Sequence, residues 1–570
     1  MESEYIFHVE SENEDEEKNF GGDKNEDKDF DGNEEEDDGK DCDSSDDEND
    51  DKRYSLDPSW PQSYRKSMDL YSGVASPSLN FLGSSSVSSF GGSFISSSPK
   101  RRHTSKIITN LSNPLLPSVA DKQQPQERYR SDHSLHRQIL TSSAKKLSQY
   151  QKAQNRQSSF GQSVVNGVNL LCGVALLSTP YAVKEGGWLG LSILFIFCVL
   201  SFYTGILLRS CLDSQPGLKT YPDIGEAAFG IAGRLIISIV LYVELYASCV
   251  EFIILESDNL TSLFPKAHLF LGGYELSSNY LFAILITLIV LPTVWLRDLS
   301  VLSYISAGGV FVTILLVICL FWVGLVDNIG FQTESTKMLN LSTLPVSIGL
   351  YGYCYAGHAV LPNIYVSMEK RSQYPLVLLA SFGIVTFLYA GVAILGYLMF
   401  GDSTESQFTL NLPANLFASK IAVWATVISP LTKYPFDFFL SYDQTLKTLT
   451  SILITYALTI SPVAKSLEEL IPSNCQKSHI YSILIRTALV ISTLLVALSV
   501  PFFGLVMSLI GSFLTMLVSF IFPCACFLRI VRGNVTSFQG WLCILIIAIG
   551  IVSLSIGTYT SLSEIVQQLL

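Results

Sequence analysis

Glu244 and Glu251 stand seven residues apart in an otherwise apolar stretch, so a helix there carries both carboxylates on one face. A carboxylate held in hydrocarbon is costly unless it takes a proton or meets a cation. The pair therefore reads either as proton sites or as structural partners of a buried cation. Glu256, further along the same stretch, is expected to reach the interface. His358 follows a glycine in another apolar stretch. It is either a group that titrates near neutral pH or a satisfied structural histidine.

Two further segments have backbone chemistry to offer. In Asn166-Gly-Val-Asn-Leu-Leu-Cys-Gly-Val-Ala-Leu-Leu-Ser-Thr-Pro180, two Gly, two Asn and a Pro interrupt an apolar run. Gly349-Leu-Tyr-Gly-Tyr-Cys-Tyr-Ala-Gly-His358, followed by Pro362, repeats the pattern. Unpaired peptide groups persist at membrane depth only where they are buried in protein or line a cavity. A broken helix offers free N–H groups at a positive dipole end and free C=O groups at a negative one, and a zwitterion suits both. The substrate carboxylate is placed near Gly173, Val174 and Ala175, its ammonium near the carbonyls of Tyr351, Tyr353 and Tyr355, with Asn166 and Asn169 beside them. Ordinary packing of small residues between membrane helices is the alternative.

The elements that must position these groups are membrane spans. Apolar runs near 20 residues recur from Ser158 onward, and a helix rising about 1.5 Å per residue crosses a ~30 Å hydrocarbon core in that length. Spans are predicted near 160–183, 187–212, 232–255, 279–296, 300–325, 344–366, 376–400, 415–470, 479–500, 503–528 and 539–563. That makes an all-α integral membrane protein of about eleven transmembrane helices. The interrupted spans are the first and the sixth, the spacing given by two five-helix inverted repeats whose broken helices meet at the midplane.

Before the first span the composition is different. Residues 1–53 hold 25 of the 50 acidic residues against 6 basic ones, too little apolar surface to offset chain entropy. Residues 54–159 are rich in Ser, Pro and Gln and carry 14 basic against 5 acidic side chains, including Lys100-Arg101-Arg102. Residues 1–159 are read as a long disordered N-terminal tail and residues 160–570 as the transmembrane domain. The start lacks the pattern of a cleaved signal peptide, so the tail is expected in the cytosol. Arg209, Lys219, Arg234, Arg297, Lys370, Arg371, Lys465, Lys477, Arg529 and Arg532 then share its side, as the positive-inside rule requires. The sequons Asn259-Leu-Thr261 and Asn340-Leu-Ser342 fall in connections on the opposite face, where glycosylation is possible, beside chance sequons at Asn110 and Asn534.

Nine of the 11 cysteines fall in or beside apolar runs and offer no disulfide framework. Cys524-Ala-Cys526 reads as helix packing rather than a metal site. No nucleophile–base set or phosphate loop appears at usable spacing, so nothing supports an enzyme, a cofactor or nucleic-acid binding.

The residues from Ser158 to Leu570 resemble the amino acid/auxin permease family, and within it the plant vacuolar amino-acid transporters. The resemblance rests on Asn166 to Tyr181, Tyr221-Pro-Asp-Ile-Gly-Glu-Ala-Ala-Phe-Gly230, Gly357-His-Ala-Val-Leu-Pro-Asn-Ile-Tyr365 and Leu458-Thr-Ile-Ser-Pro-Val-Ala-Lys-Ser-Leu-Glu-Glu469. It implies a leucine-transporter-like fold of five plus five helices with one extra, amino-acid substrates, proton rather than sodium coupling, and the vacuolar membrane, with the plasma membrane as the alternative. In sodium-coupled relatives an Asn of the first span and a hydroxyl of the eighth help hold the ion, and Asn169 and Thr432 match them. Lys433 places a fixed ammonium there, costing about 2.5–3.5 kcal/mol at a span centre and repelling a second cation, unless it snorkels to an interface.

The eighth span departs from the family pattern. Pro435 to Tyr456 look inserted, and with Pro435, Asp437, Asp443 and Lys447 they are expected to form a loop or distorted hairpin. The functional expectation is a proton-coupled carrier of neutral amino acids working by alternating access among membrane lipids. An amino-acid sensor signalling through a cytosolic partner of the tail, or a permease for auxin or another indole acid, are the alternatives.

Overall fold

The apolar runs fold as helices. A computed structural model describes Trp60, Pro61, Tyr64, Met68 and residues 158–570, apart from 272–273, 296–306, 328, 429–443, 472–478 and 534. The first interrupted span is α1 (Phe160–Leu171), a break at Cys172, Gly173 and Val174, and the start of α2 (Ala175–Leu212). Inside α2 the chain turns at Gly187, whose positive φ of 72° brings its backbone against Met338 and Leu339. A side chain there would collide with that backbone. The second span therefore starts near Trp188, whose N–H donates to the Lys337 carbonyl at 3.1 Å.

Thr220 and Asp223 form a capping box with Pro222 in the first turn, and start α3 (Tyr221–Leu263) where such residues favour a helix start. A hairpin, β1 (Leu269–Leu271) with β2 (Tyr274–Leu276), precedes α4 (Ser278–Val294) and α5 (Ala307–Leu325). The sixth span is again divided, into α6 (Leu344–Tyr353) and α7 (Leu361–Ser367). Pro362 sits in the first turn of α7, where a missing N–H costs nothing. Then come α8 (Tyr374–Phe400), the short α9 (Phe408–Asn411), α10 (Phe417–Ile428), α11 (Gln444–Glu468), α12 (His479–Ser499), α13 (Phe503–Ile530) and α14 (Ser537–Leu569).

Among the described residues six helices are long and apolar enough to cross a membrane: α2, α3, α8 with its flanking turns, α12, α13 and α14. Ser278–Val294, Val312–Leu325 and Phe417–Val427 are shorter apolar helices. Side chains such as Phe387, Ile544 and Val552 point outward, as on a surface that meets lipid rather than water.

The two broken spans run antiparallel. Ser158 bonds Ser367, Gly357 packs on Leu170 and Leu171, Ser347 donates to the Ala182 carbonyl at 2.8 Å, and Thr343 donates to the Glu185 carbonyl at 2.7 Å. Residue numbers fall along one as they rise along the other, so break faces break. That arrangement is the one two inverted repeats produce.

Two expectations fail here. Gln444 to Tyr456, read as part of a loop or distorted hairpin, continue as one helix with Ala457–Glu468. Their thirteen residues contain no Pro or Gly and space Leu446, Leu449 and Leu453 along a helix, so local propensity prevails. Pro435, Asp437 and Asp443 lie outside the described residues. Asn259, expected in an exposed connection, is fully buried within α3 and donates to Gln407 Oε1 at 2.6 Å. The helix runs two turns further than its apolar run, and the sequon runs with it.

One charged pair joins three helices. Arg486 of α12 bonds Glu468 of α11 at 2.7 Å through Nε and the Val294 carbonyl at the end of α4 at 2.7 Å through Nη1. Ser482 adds a bond to the same Glu468 oxygen at 2.6 Å. The Arg486 side chain is 2 % exposed.

Candidate functional site

The break in the first span opens on a cavity of about 130 Å³. Gly173, Val174 and Ala175 form one wall, Glu244, Ser248 and Glu251 of α3 a second, and Tyr353, Gly357 and Val360 of the sixth span a third. Met68 closes one side.

The first break is held by side chains that take its freed carbonyls. Tyr389 of α8 donates to the Leu171 carbonyl at 2.5 Å, and Thr313 of α5 to that of Cys172 at 3.5 Å. The chain then re-enters a helix at Ala175, where the N–H groups of Leu176 and Leu177 turn back to the Gly173 and Val174 carbonyls at 3.3 and 3.0 Å and the dipole end is positive. A Cβ built on Gly173 meets nothing within 4 Å, so this residue faces the open cavity.

Glu244, Ser248 and Glu251 recur at the spacing of one helical face, and all three reach the cavity. Glu251 is 1 % exposed, and one of its oxygens accepts a 2.5 Å bond from the Tyr353 hydroxyl. Among the described residues its other oxygen has no partner. Glu256 does not reach the interface as expected. It is buried, because α3 continues to Leu263, and among the described residues neither carboxylate oxygen has a partner.

The remaining sequence candidates are dispersed. The Tyr355 hydroxyl turns away from the cavity to the Leu194 carbonyl at 3.0 Å and Thr386 at 2.8 Å. His358 Nε2 pairs with Thr204 at 2.9 Å and lies 3.2 Å from the Ser201 carbonyl, tying the second break to α2. Tyr351 is buried away from the cavity wall, and Asn166 and Asn169 lie in α1 short of it. The carbonyls of Gly352, Tyr353 and Tyr355 already accept from Tyr355, Ala356 and Ser519. Thr432 and Lys433 lie outside the described residues. Sequence reasoning missed Ser248, Met68, Tyr389 and Thr313. Ser248 alone had a signal, lying between the two glutamates on their face.

The fold and cavity define a multi-pass membrane protein that encloses a small, carboxylate-lined chamber between two broken helices. Residues 156–563 match the family described as "Transmembrane amino acid transporter protein", and the chain belongs to that family, among the amino acid/auxin permeases. It is 57 % identical over 578 residues to "Amino acid transporter AVT1C" of Arabidopsis thaliana, covering 100 % of this chain and 99 % of that one. It is 57 % identical over 511 residues to "Amino acid transporter AVT1B" of the same organism, covering 90 % of this chain and 89 % of that one. Among solved structures, "Crystal structure of MhsT in complex with L-phenylalanine" aligns with 70 % of this chain and 98 % of its own at 11 % identity and a TM-score of 0.39. Amino-acid transport is the activity this membership supports.

Proposed function

We propose that this chain carries neutral amino acids of modest size across the vacuolar membrane by alternating access, driven by protons. The observation that carries the reading is the cavity, which joins the start of α2 to Glu244 and Glu251. A substrate carboxylate meets the N–H groups of Val174 and Ala175, the Gly173 N–H being taken by the Leu171 carbonyl at 2.9 Å. Its ammonium meets Glu251 and Tyr353 rather than the sixth-span carbonyls, most of which are already occupied. Two carboxylates in one small chamber at membrane depth are costly. An ammonium on one and a proton on the other remove that cost together, which couples substrate to proton. The chamber volume of about 130 Å³ approaches the ~150 Å³ of an apolar cavity that accepts benzene, so small side chains fit best.

The resemblance to the plant vacuolar subgroup supports the membrane assignment. The test is uptake of a panel of labelled amino acids into vacuolar vesicles under an imposed pH gradient. Flux of neutral amino acids that collapses when the gradient is dissipated supports the reading, and flux indifferent to the gradient overturns the coupling. A sensing role gains support from the burial of Trp60, Tyr64 and Met68 against the core. Ligand-dependent binding of a partner to the tail without flux selects it.

A further inference from the structure

Trp60, Tyr64 and Met68 come from a Ser-rich, basic stretch read as linker, yet they are 7 %, 2 % and 0 % exposed. Their spacing of four residues is that of one helical face, and Tyr64 and Met68 are in helical conformation. Trp60 is anchored twice: its indole Nε1 donates to the Ser466 carbonyl of α11 at 3.0 Å, and its own carbonyl accepts from Arg234 Nε of α3 at 3.1 Å. The rings of Trp60 and Tyr64 lie 5.8 and 6.0 Å from that of Tyr242. Met68 lines the chamber that Gly173 and Glu244 also line.

These contacts follow α3 inward, from Arg234 to Tyr242 to Glu244. Ten residues of helix span about 15 Å, half of a ~30 Å hydrocarbon core. The path leads from the membrane face of Arg234 to the midplane. Arg234 is itself held by Glu226 at 2.5 Å and Asp223 at 3.5 Å, so the anchor for Trp60 is fixed.

We infer that Trp60, Tyr64 and Met68 of this chain are the occupants of the groove between α3 and α11, and that substrate exchanges on that face only when these side chains leave. The inference rests on the chamber being the transport site. Met68 closes one side of the chamber whose other walls are the Gly173 backbone and the α3 carboxylates. While it is seated, the chamber is closed on that side. A thioether with no charge and no strong donor leaves both polar walls unneutralised, which favours its release when substrate and proton are present.

The experiment uses the full chain in vesicles, with Ser248→Cys as a reporter in the chamber wall and N-ethylmaleimide as the probe. Labelling of the same chain without the reporter is subtracted. A seat filled nine times in ten slows access to the chamber about tenfold. The triple variant Trp60→Ala, Tyr64→Ala and Met68→Ala is expected to label about tenfold faster, and to show a higher initial rate of amino-acid uptake. Tyr64→Phe alone is expected to label at the parent rate, because the Tyr64 hydroxyl has no partner among the described residues. Equal labelling of parent and triple variant overturns the seat. Faster labelling with unchanged uptake overturns its control of transport. Absence of uptake in both overturns the carrier reading instead, and the labelling rates still decide the seat.

Discussion

Gly173 and Gly349 are both glycines of an interrupted span, and they do opposite work. Around Gly173 there is empty space, into which a side chain would project unopposed. Around Gly349 there is none: a Cβ there would run into the Ser508 carbonyl of α13. Gly352 is equally confined, with the Gly511 carbonyl 2.9 Å from where its Cβ would stand. The first break leaves backbone open to the cavity, whereas the sixth span uses its glycines to bring α6 against α13. His358 and Tyr355 complete that bracing through α2 and α8. A shared sequence pattern thus borders open space in one repeat and close helix packing in the other.

The contrast is broken most severely by bulk. Gly173→Leu is expected to fold and reach the membrane but to lose uptake by roughly 100-fold, the scale of a substrate displaced by about 1 Å. Normal uptake by a correctly located Gly173→Leu chain would remove the recognition role. Next in size is Glu251→Gln, which keeps the shape of the side chain and discards its charge. Uptake should fall about tenfold, equivalent to ~1.4 kcal/mol, and the remainder should no longer follow the pH gradient. A variant that still accelerates with the gradient would move the coupling elsewhere in the molecule.

Gly349→Ala should act on stability instead, lowering it by about 1–3 kcal/mol through overpacking, measured as thermal unfolding in detergent. Destabilisation by Gly173→Ala as large as this would erase the distinction between the breaks. Tyr389→Phe removes one of two donors to the Leu171 carbonyl, which keeps its bond from the Gly173 N–H, and should cost about 1 kcal/mol or less. No change in melting would show that the first break does not depend on it. The smallest effect is expected from replacing sodium, which should leave uptake unaltered. A sodium requirement would contradict the argument from Lys433.

The helical, membrane-spanning class, the two interruptions and the common face of Glu244 and Glu251 were legible, because each depends on residues close in sequence. The directions of Tyr355 and His358 were not. A break releases the backbone from helical geometry, and which wall a side chain then meets is decided by Leu194, Thr204 and Thr386 on other helices. Glu256 was misread because a carboxylate near the end of an apolar run marks the interface only if the helix also ends there, and α3 continues to Leu263. The stretch before Ala457 was misread because Pro435 and the aspartates were allowed to speak for Gln444 to Tyr456, whose own composition favours helix. Met68 reaches a chamber whose other walls begin a hundred residues later, and no local pattern encodes that meeting.

The Arg486–Glu468 pair also constrains how the sequence can drift. Replacing Glu468 alone strands the buried Arg486 charge, at about 3–5 kcal/mol, whereas replacing both with apolar residues of similar volume can be neutral. Routes away from this pair that begin at Glu468 therefore pass through a poorly folded intermediate. Inheritance at these two positions is expected to be joint, with both charges kept or both lost, although eighteen residues separate them in the chain.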